Sequence, residues 1–160
     1  MNNKKVINVL WQVILALVII VSDRGVKNYI LTNCDVGEVF GQIPYIADFI
    51  FVRNTGAAFS MLSNSTALLG VISVVFVTGI VIYKAVKKPE GFLINLSIVL
   101  LFSGALGNGI DRLLYKFVVD FISVKWFEFP VFNIADIAIV AGAGVMILYM
   151  LFFDESSQRK

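Results

Sequence analysis

Residues 132–153 read FNIADIAIVAGAGVMILYMLFF. Positions 137–153 hold apolar residues, glycine and one tyrosine, and the only charge in the stretch, Asp136, stands near its start. A run of this length matches the roughly 17–25 residues of a membrane-spanning helix and exceeds the roughly 9–11 of a barrel strand. Hydrocarbon offers no hydrogen bonds, so a continuous helix is the natural way to satisfy the backbone there. Three similar runs precede it, at about 6–22, 67–83 and 92–110. The third is interrupted by Gly104, Gly107 and Gly109 and is expected to extend toward position 114. The predicted fold is therefore a membrane α-helical one, with four transmembrane helices in a single domain spanning 1–160.

Composition supports lipid as the solvent. Hydrophobic residues make up 59% of the chain and charged residues 15%, against roughly 45–50% and about 25% in soluble domains. A net charge of +2 is too small to suggest nucleic acid as a partner. There is one cysteine, Cys34, and no histidine. Those counts exclude an internal disulfide and nucleophile–histidine catalysis, and they leave no ordinary zinc ligand set. No metal or cofactor is implied.

The first run follows N-N-K-K at 2–5 and has the outline of a secretory leader. It is longer than a typical apolar region of about 7–15 residues, and S-D-R-G-V-K at 22–27 follows it in place of a small-x-small cleavage site. It reads as an uncleaved helix that continues past Asp23. Lys4, Lys5, Lys84, Lys87, Lys88, Arg159 and Lys160 flank the helices on one side, concentrated in short segments. The positive-inside rule then puts both termini in the cytoplasm and segments 23–66 and 111–131 outside. Those two segments carry β-type aromatic stretches, GEVFGQIPYIADFIFV at 37–52 and FVVDFISVKWFEFPVF at 117–132. They predict a small extracytoplasmic β element on the outer membrane surface, with Trp126 and its phenylalanine neighbours at headgroup level.

Ionisable residues beside apolar spans carry most of the functional information, because burying a charge in a bilayer costs roughly 2.5–3.5 kcal/mol on insertion scales. Asp136 admits two readings, a working carboxylate or a complement to the dipole of a helix capped by Asn133. Asp120, in V-V-D-F-I at 118–122, is either an outward-facing strand residue or a second working acid. Asn108 and Asp111 share a helical face in G-N-G-I-D-R at 107–112, where Arg112 can pair with a carboxylate. Asp23 and Lys27 form an i, i+4 pair suited to a structural or headgroup role. Arg53, Asn54, Thr55 and Gly56 form a turn, or hold an extended peptide. The convergence of this set at one predicted depth favours a site.

In this order, D-x-x-x-K at 23–27, N-T-G-A-A-F-S at 54–60, G-N-G-I-D-R at 107–112, V-V-D-F-I at 118–122 and F-N-I-A-D-I at 132–137 resemble the motifs of the bacterial lipoprotein signal peptidases. These are type II signal peptidases, aspartic-type membrane proteases. The resemblance implies that Asp120 and Asp136 are the catalytic pair. It implies that Asn54, Gly56, Asn108, Asp111, Arg112 and Asn133 line the site, with Asp23 and Lys27 as the first-helix motif. It implies cleavage of diacylglyceryl-modified prolipoproteins before the lipidated cysteine, in the bacterial cytoplasmic (inner) membrane, with the active site facing outward. Membrane lipids as partners, a monomer, and inhibition by globomycin belong to the same expectation. Gly104, Gly107, Gly109, Gly142 and Gly144 are candidates for close packing against a substrate helix. The alternatives are a small proton- or ion-coupled carrier using the same aspartates, and a structural subunit.

Overall fold

The computed structural model of the chain describes residues 3–56 and 65–153. Its helices are α1 (Asn3–Asn33), α2 (Thr66–Lys87), α3 (Phe92–Tyr115) and α4 (Ile134–Phe152), and its strands are β1 (Val39–Ile43), β2 (Ala47–Asn54) and β3 (Val118–Val124). Each of the four helices is long and apolar enough to cross a membrane. The chain is a multi-pass membrane protein with a small sheet beyond one end of its helices. Positions 57–60 of the N-T-G-A-A-F-S stretch and the tail at 154–160 lie outside the described residues.

α3 is the central helix. In its most apolar stretch 61% of the residues are buried, against 11% in α1 and in α2 and 17% in α4. The outer three present Val, Leu and Ile side chains to the surroundings, among them Val18 on α1, Val75 on α2 and Val140 on α4. In water such faces would be a liability, whereas in acyl chains they are solvated. Close packing on α3 comes from its small residues. A Cβ on Gly104 would sit 2.3 Å from the Ala135 carbonyl oxygen, and one on Gly142 would sit 2.9 Å from Leu100 Cβ. Gly107 faces Asp23 and Ala135, and Gly109 faces Ser73. These glycines seat the protein's own helices and are not free to receive a substrate helix. Gly144 has nothing within 4 Å of its would-be Cβ and takes no part in that packing.

Two helices run further than the apolar runs alone suggest. α1 has 31 residues, roughly 46 Å at 1.5 Å per residue, against a hydrocarbon core of about 30 Å. Its surplus carries Ile30, which is buried with Phe51, Val119 and Phe121 and packed about by Val26, Leu31 and Cys34. The sheet covers this last stretch, which is why the helix persists beyond the membrane-length segment. α3 continues through Asp111 and Arg112 to Tyr115 and stops at Lys116, whose φ of 65° is left-handed.

The sheet is antiparallel in the order β1-β2-β3. β2 is its centre, pairing Gly41 with Phe49 on one side and Asn54 with Val118 on the other. A register irregularity between Phe49 and Val52 brings Val52 opposite Asp120. Register decides which face every side chain takes, so this irregularity helps set where Asp120 points. An additional bridge joins Ile122 to Phe132 just ahead of α4. It ties the strand carrying one aspartate to the helix carrying the other.

The glycine packing predicts a sharp contrast. Gly104→Ala should destabilise the protein by about 1–3 kcal/mol through overpacking against Ala135 and Ile139. Gly144→Ala should be neutral or slightly stabilising. Thermal unfolding in detergent, read for both variants, checks this.

Candidate active site

Asp120 comes from the middle of β3 and Asp136 from the first turn of α4. Asp120 is 1% exposed, which removes the reading of an outward-facing strand residue. β3 does not alternate, since Val118, Val119, Asp120 and Phe121 are all buried. One face of the strand meets the sheet's apolar cluster and the other meets the polar residues of α3 and α4.

The two readings of Asp136 turn out to be compatible. Asn133 is the N-cap of α4, and the pair forms a reciprocal capping box. Asp136 N–H donates to Asn133 Oδ1 at 2.9 Å, and Asn133 N–H donates to Asp136 Oδ2 at 3.1 Å. The cap therefore fixes the carboxylate, and the same asparagine reaches the other acid. Asn133 Nδ2 donates to Asp120 Oδ1 at 2.7 Å. One residue thus bridges both carboxylates.

Two further amides complete the ring. Asn54 Nδ2 donates to Asp120 Oδ2 at 2.8 Å, and Asn108 Nδ2 donates to Asp136 Oδ1 at 2.7 Å. Gly56 N–H donates to Asn54 Oδ1 at 2.9 Å, which closes the turn predicted after β2. Each of the four carboxylate oxygens accepts at least one hydrogen bond. Asp120 nevertheless has its pKa pushed up from 3.8 to about 7, first by burial and next by the charge of Asp136, against the opposing pull of Asn54, Asn133 and Lys27. Two acids in this setting suit sharing one proton.

Behind this ring lies a charge cluster. Lys27 is 0% exposed, so a headgroup role is excluded. Its ammonium is 2.8 Å from Asp23 and 2.9 Å from Asp111, and it donates to Asn108 Oδ1 at 3.0 Å. Asp23 Oδ1 accepts from Ala135 N–H at 3.1 Å, and Asp111 Oδ2 from Val119 N–H at 3.3 Å. Asp111 is also paired with Arg24, whose guanidinium lies over the Tyr115 ring at 5.8 Å. The carboxylate partner expected for Arg112 is absent among the described residues. Arg112 Nη2 instead donates to the Gly56 carbonyl at 3.4 Å, and its charge interacts with Asp136 and Asp120 across the site. Arg53, the other cation of that turn, is exposed and stacks on Phe117 at 4.9 Å.

Asp23, Lys27, Asn54, Gly56, Asn108, Asp111, Arg112, Asp120, Asn133 and Asp136 fall in this one assembly, and Arg53 does not. Sequence reasoning missed Arg24 and the apolar wall. A charge count was the available signal for Arg24, because Asp23 and Asp111 against Lys27 alone leave one negative charge uncompensated. The wall belongs to a cavity of about 570 Å³ lined by Asp120, Asp136, Asn54, Asn108 and Arg112 together with residues 129–132, Ile137 and Val140. Val140 is largely exposed on the lipid-facing surface of α4, so the cavity opens along that helix. A larger, shallower depression of about 780 Å³ over residues 123–130 contains neither aspartate, whereas both line the smaller cavity. Among the described residues there is no His, Cys, Asp and Glu cluster able to hold a metal ion.

Comparison with known proteins agrees with this geometry. The family model described as signal peptidase (SPase) II matches residues 15–152. The lipoprotein signal peptidase of Lactobacillus gasseri is 36% identical over 142 residues, covering 89% of this chain and 92% of that protein. That of Shewanella loihica is 41% identical over 145 residues, covering 86% and 82%. A bacterial membrane enzyme solved by the in meso method at 2.3 Å resolution superposes with a TM-score of 0.84 at 32% identity, covering 93% of this chain and 91% of that one. The chain belongs to the signal peptidase II family, and it is a membrane peptidase.

Proposed function

We propose that the protein removes the signal peptide from diacylglyceryl-modified prolipoproteins by aspartic catalysis, with Asp120 and Asp136 as the catalytic pair. The observation that carries this is the bridging of a buried and a half-buried carboxylate by Asn133 at the head of an apolar, lipid-facing cavity. The carrier reading has no support. The acids on the four spanning helices are Asp23, Asp111 and Asp136, and all three sit in the single cluster at one end, so no relay runs through the membrane depth.

The mechanism follows from what surrounds each acid. Asp136 sits in the first turn of α4, where backbone N–H groups and the helix dipole favour negative charge. It acts as the base, taking a proton from water as the oxygen attacks the scissile carbonyl carbon. Asp120, whose buried site favours the neutral form, donates a hydrogen bond to the carbonyl oxygen. The collapsing intermediate receives a proton on the departing nitrogen, and the pair returns to its singly protonated state. Arg112 and Asn54 line the cavity, and in this reading they hold the substrate backbone. The apolar wall accommodates the signal peptide and the acyl chains next to the lipid.

Both termini lie in the cytoplasm in this reading, with the sheet and catalytic pair on the outer face and the protein in the bacterial inner membrane as a monomer among lipids. The clustering of Lys84 and Lys87 in the last turn of α2 and of Lys88 just after it, at the opposite end from the carboxylates, supports that orientation. Globomycin is the expected inhibitor.

In a gel-shift assay in detergent, the protein should cut a prolipoprotein carrying its diacylglyceryl group and leave the unlipidated form intact. Asp120→Asn and Asp136→Asn should each abolish cleavage while keeping the thermal unfolding profile of a folded protein. Cleavage retained by either variant would overturn the catalytic assignment.

The raised pKa of Asp120 gives two pH effects. kcat/KM should decline as pH rises through about 7 and the shared proton is lost. In the stability experiment, the unfolded chain ionises Asp120 from about pH 4 upward, whereas the folded protein holds its proton to about 7. Across that window the unfolded state binds fewer protons, so this residue makes stability fall with rising pH. Asp120→Asn should therefore raise the melting temperature relative to the parent more at pH 8 than at pH 5.

A further inference from the structure

Three carboxamides point at the catalytic pair, and each has its oxygen held from behind by a group that only donates. Gly56 N–H holds Asn54 Oδ1 at 2.9 Å, and Asp136 N–H holds Asn133 Oδ1 at 2.9 Å. The Lys27 ammonium holds Asn108 Oδ1 at 3.0 Å. A carboxamide accepts at one end and donates at the other. With the oxygen fixed, the NH2 end of all three turns to a carboxylate, at 2.8, 2.7 and 2.7 Å. Turning any of them over would set oxygen against carboxylate and NH2 against another donor.

Two of these locks are backbone groups. The third is a side chain, and its proton count is complete. The ammonium has three protons and three acceptors, on Asp23, Asp111 and Asn108. Asn133 Nδ2 also reaches Asn108 Oδ1 at 3.0 Å, but it divides two protons among that oxygen, Asp120 and the Val119 carbonyl. It cannot stand in fully for the lysine. We propose that Lys27 is a positioning residue of the peptidase, holding the Asn108 carboxamide in the one orientation that donates to Asp136. The proposal rests on the reading of Asp120 and Asp136 as the catalytic pair. Lys27 is absent from the cavity wall, so its effect falls on turnover and not on substrate binding.

A double-mutant cycle on the full chain in detergent tests this, with kcat and KM read on a lipidated peptide and single-turnover conditions for the slower variants. Lys27→Met and Asn108→Ala should each lower kcat about 10- to 100-fold, as expected for losing a hydrogen bond to a charged group, with KM within about twofold of the parent. In the Asn108→Ala background, Lys27→Met should cost no more than about threefold further, because its effect passes through the amide already removed. Lys27→Met leaves Asp23 without its counter-charge and is at risk of failing to fold. The charge-balanced Lys27→Met/Asp23→Asn variant therefore runs through the same cycle. A larger further loss in the Asn108→Ala background, or a loss confined to KM, overturns the assignment. Asp120→Asn and Asp136→Asn run alongside. Activity surviving in either removes the catalytic pair itself, whereas their inactivity together with a multiplicative cycle removes only the role of Lys27.

Discussion

A lysine ammonium sealed among apolar helices costs several kcal/mol in desolvation unless it is paired and fully hydrogen-bonded. In this chain that demand is met by Asp23 from its own helix and Asp111 from the central one. The two acids then pass the constraint outward. Asp23 holds the backbone at the start of α4 through Ala135, and Asp111 holds the backbone of β3 through Val119. Asp136 and Asp120 are each the residue directly after one of those anchored positions. The cluster thus fixes the main chain at both acids without touching either. Breaking one member would leave an unpaired buried charge, which explains why this many ionisable groups coexist beside a membrane.

Much of the fold was legible because lipid imposes a strong rule. Runs of about twenty apolar residues admit few structures other than helices, and the sheet announced itself through aromatic and β-branched residues in the segments between. Helix ends were less legible. Residues 23–33 are too polar to read as a span, and they stay helical because Ile30 and its neighbours are covered by a sheet whose docking no local pattern encodes. The ladder between β2 and β3 joins strands more than sixty positions apart, beyond the reach of pattern reading.

The site was legible as a set of residue types, and its wiring was not. Aspartates and asparagines in apolar surroundings are costly enough to mark themselves. Which amide meets which acid depends on tertiary placement alone. Asp136 shows the limit clearly. A capping box and a catalytic carboxylate carry the same local signature, and here the capping residue is also the one proposed for catalysis. The glycines mislead for a related reason. A small residue signals close approach but not what approaches, and Gly104, Gly107 and Gly142 are taken by the protein's own helices.

The pairing of an acid on a strand with an acid on a helix also makes the site a product of long-range assembly. Each helix satisfies its backbone within itself, and α4 carries its own cap. β3 orients Asp120 only with β2 beside it, from a segment more than sixty positions earlier. One asparagine can therefore reach both acids only where sheet and helix are joined, and a change in the sheet that never touches either acid would still move one of them relative to the other.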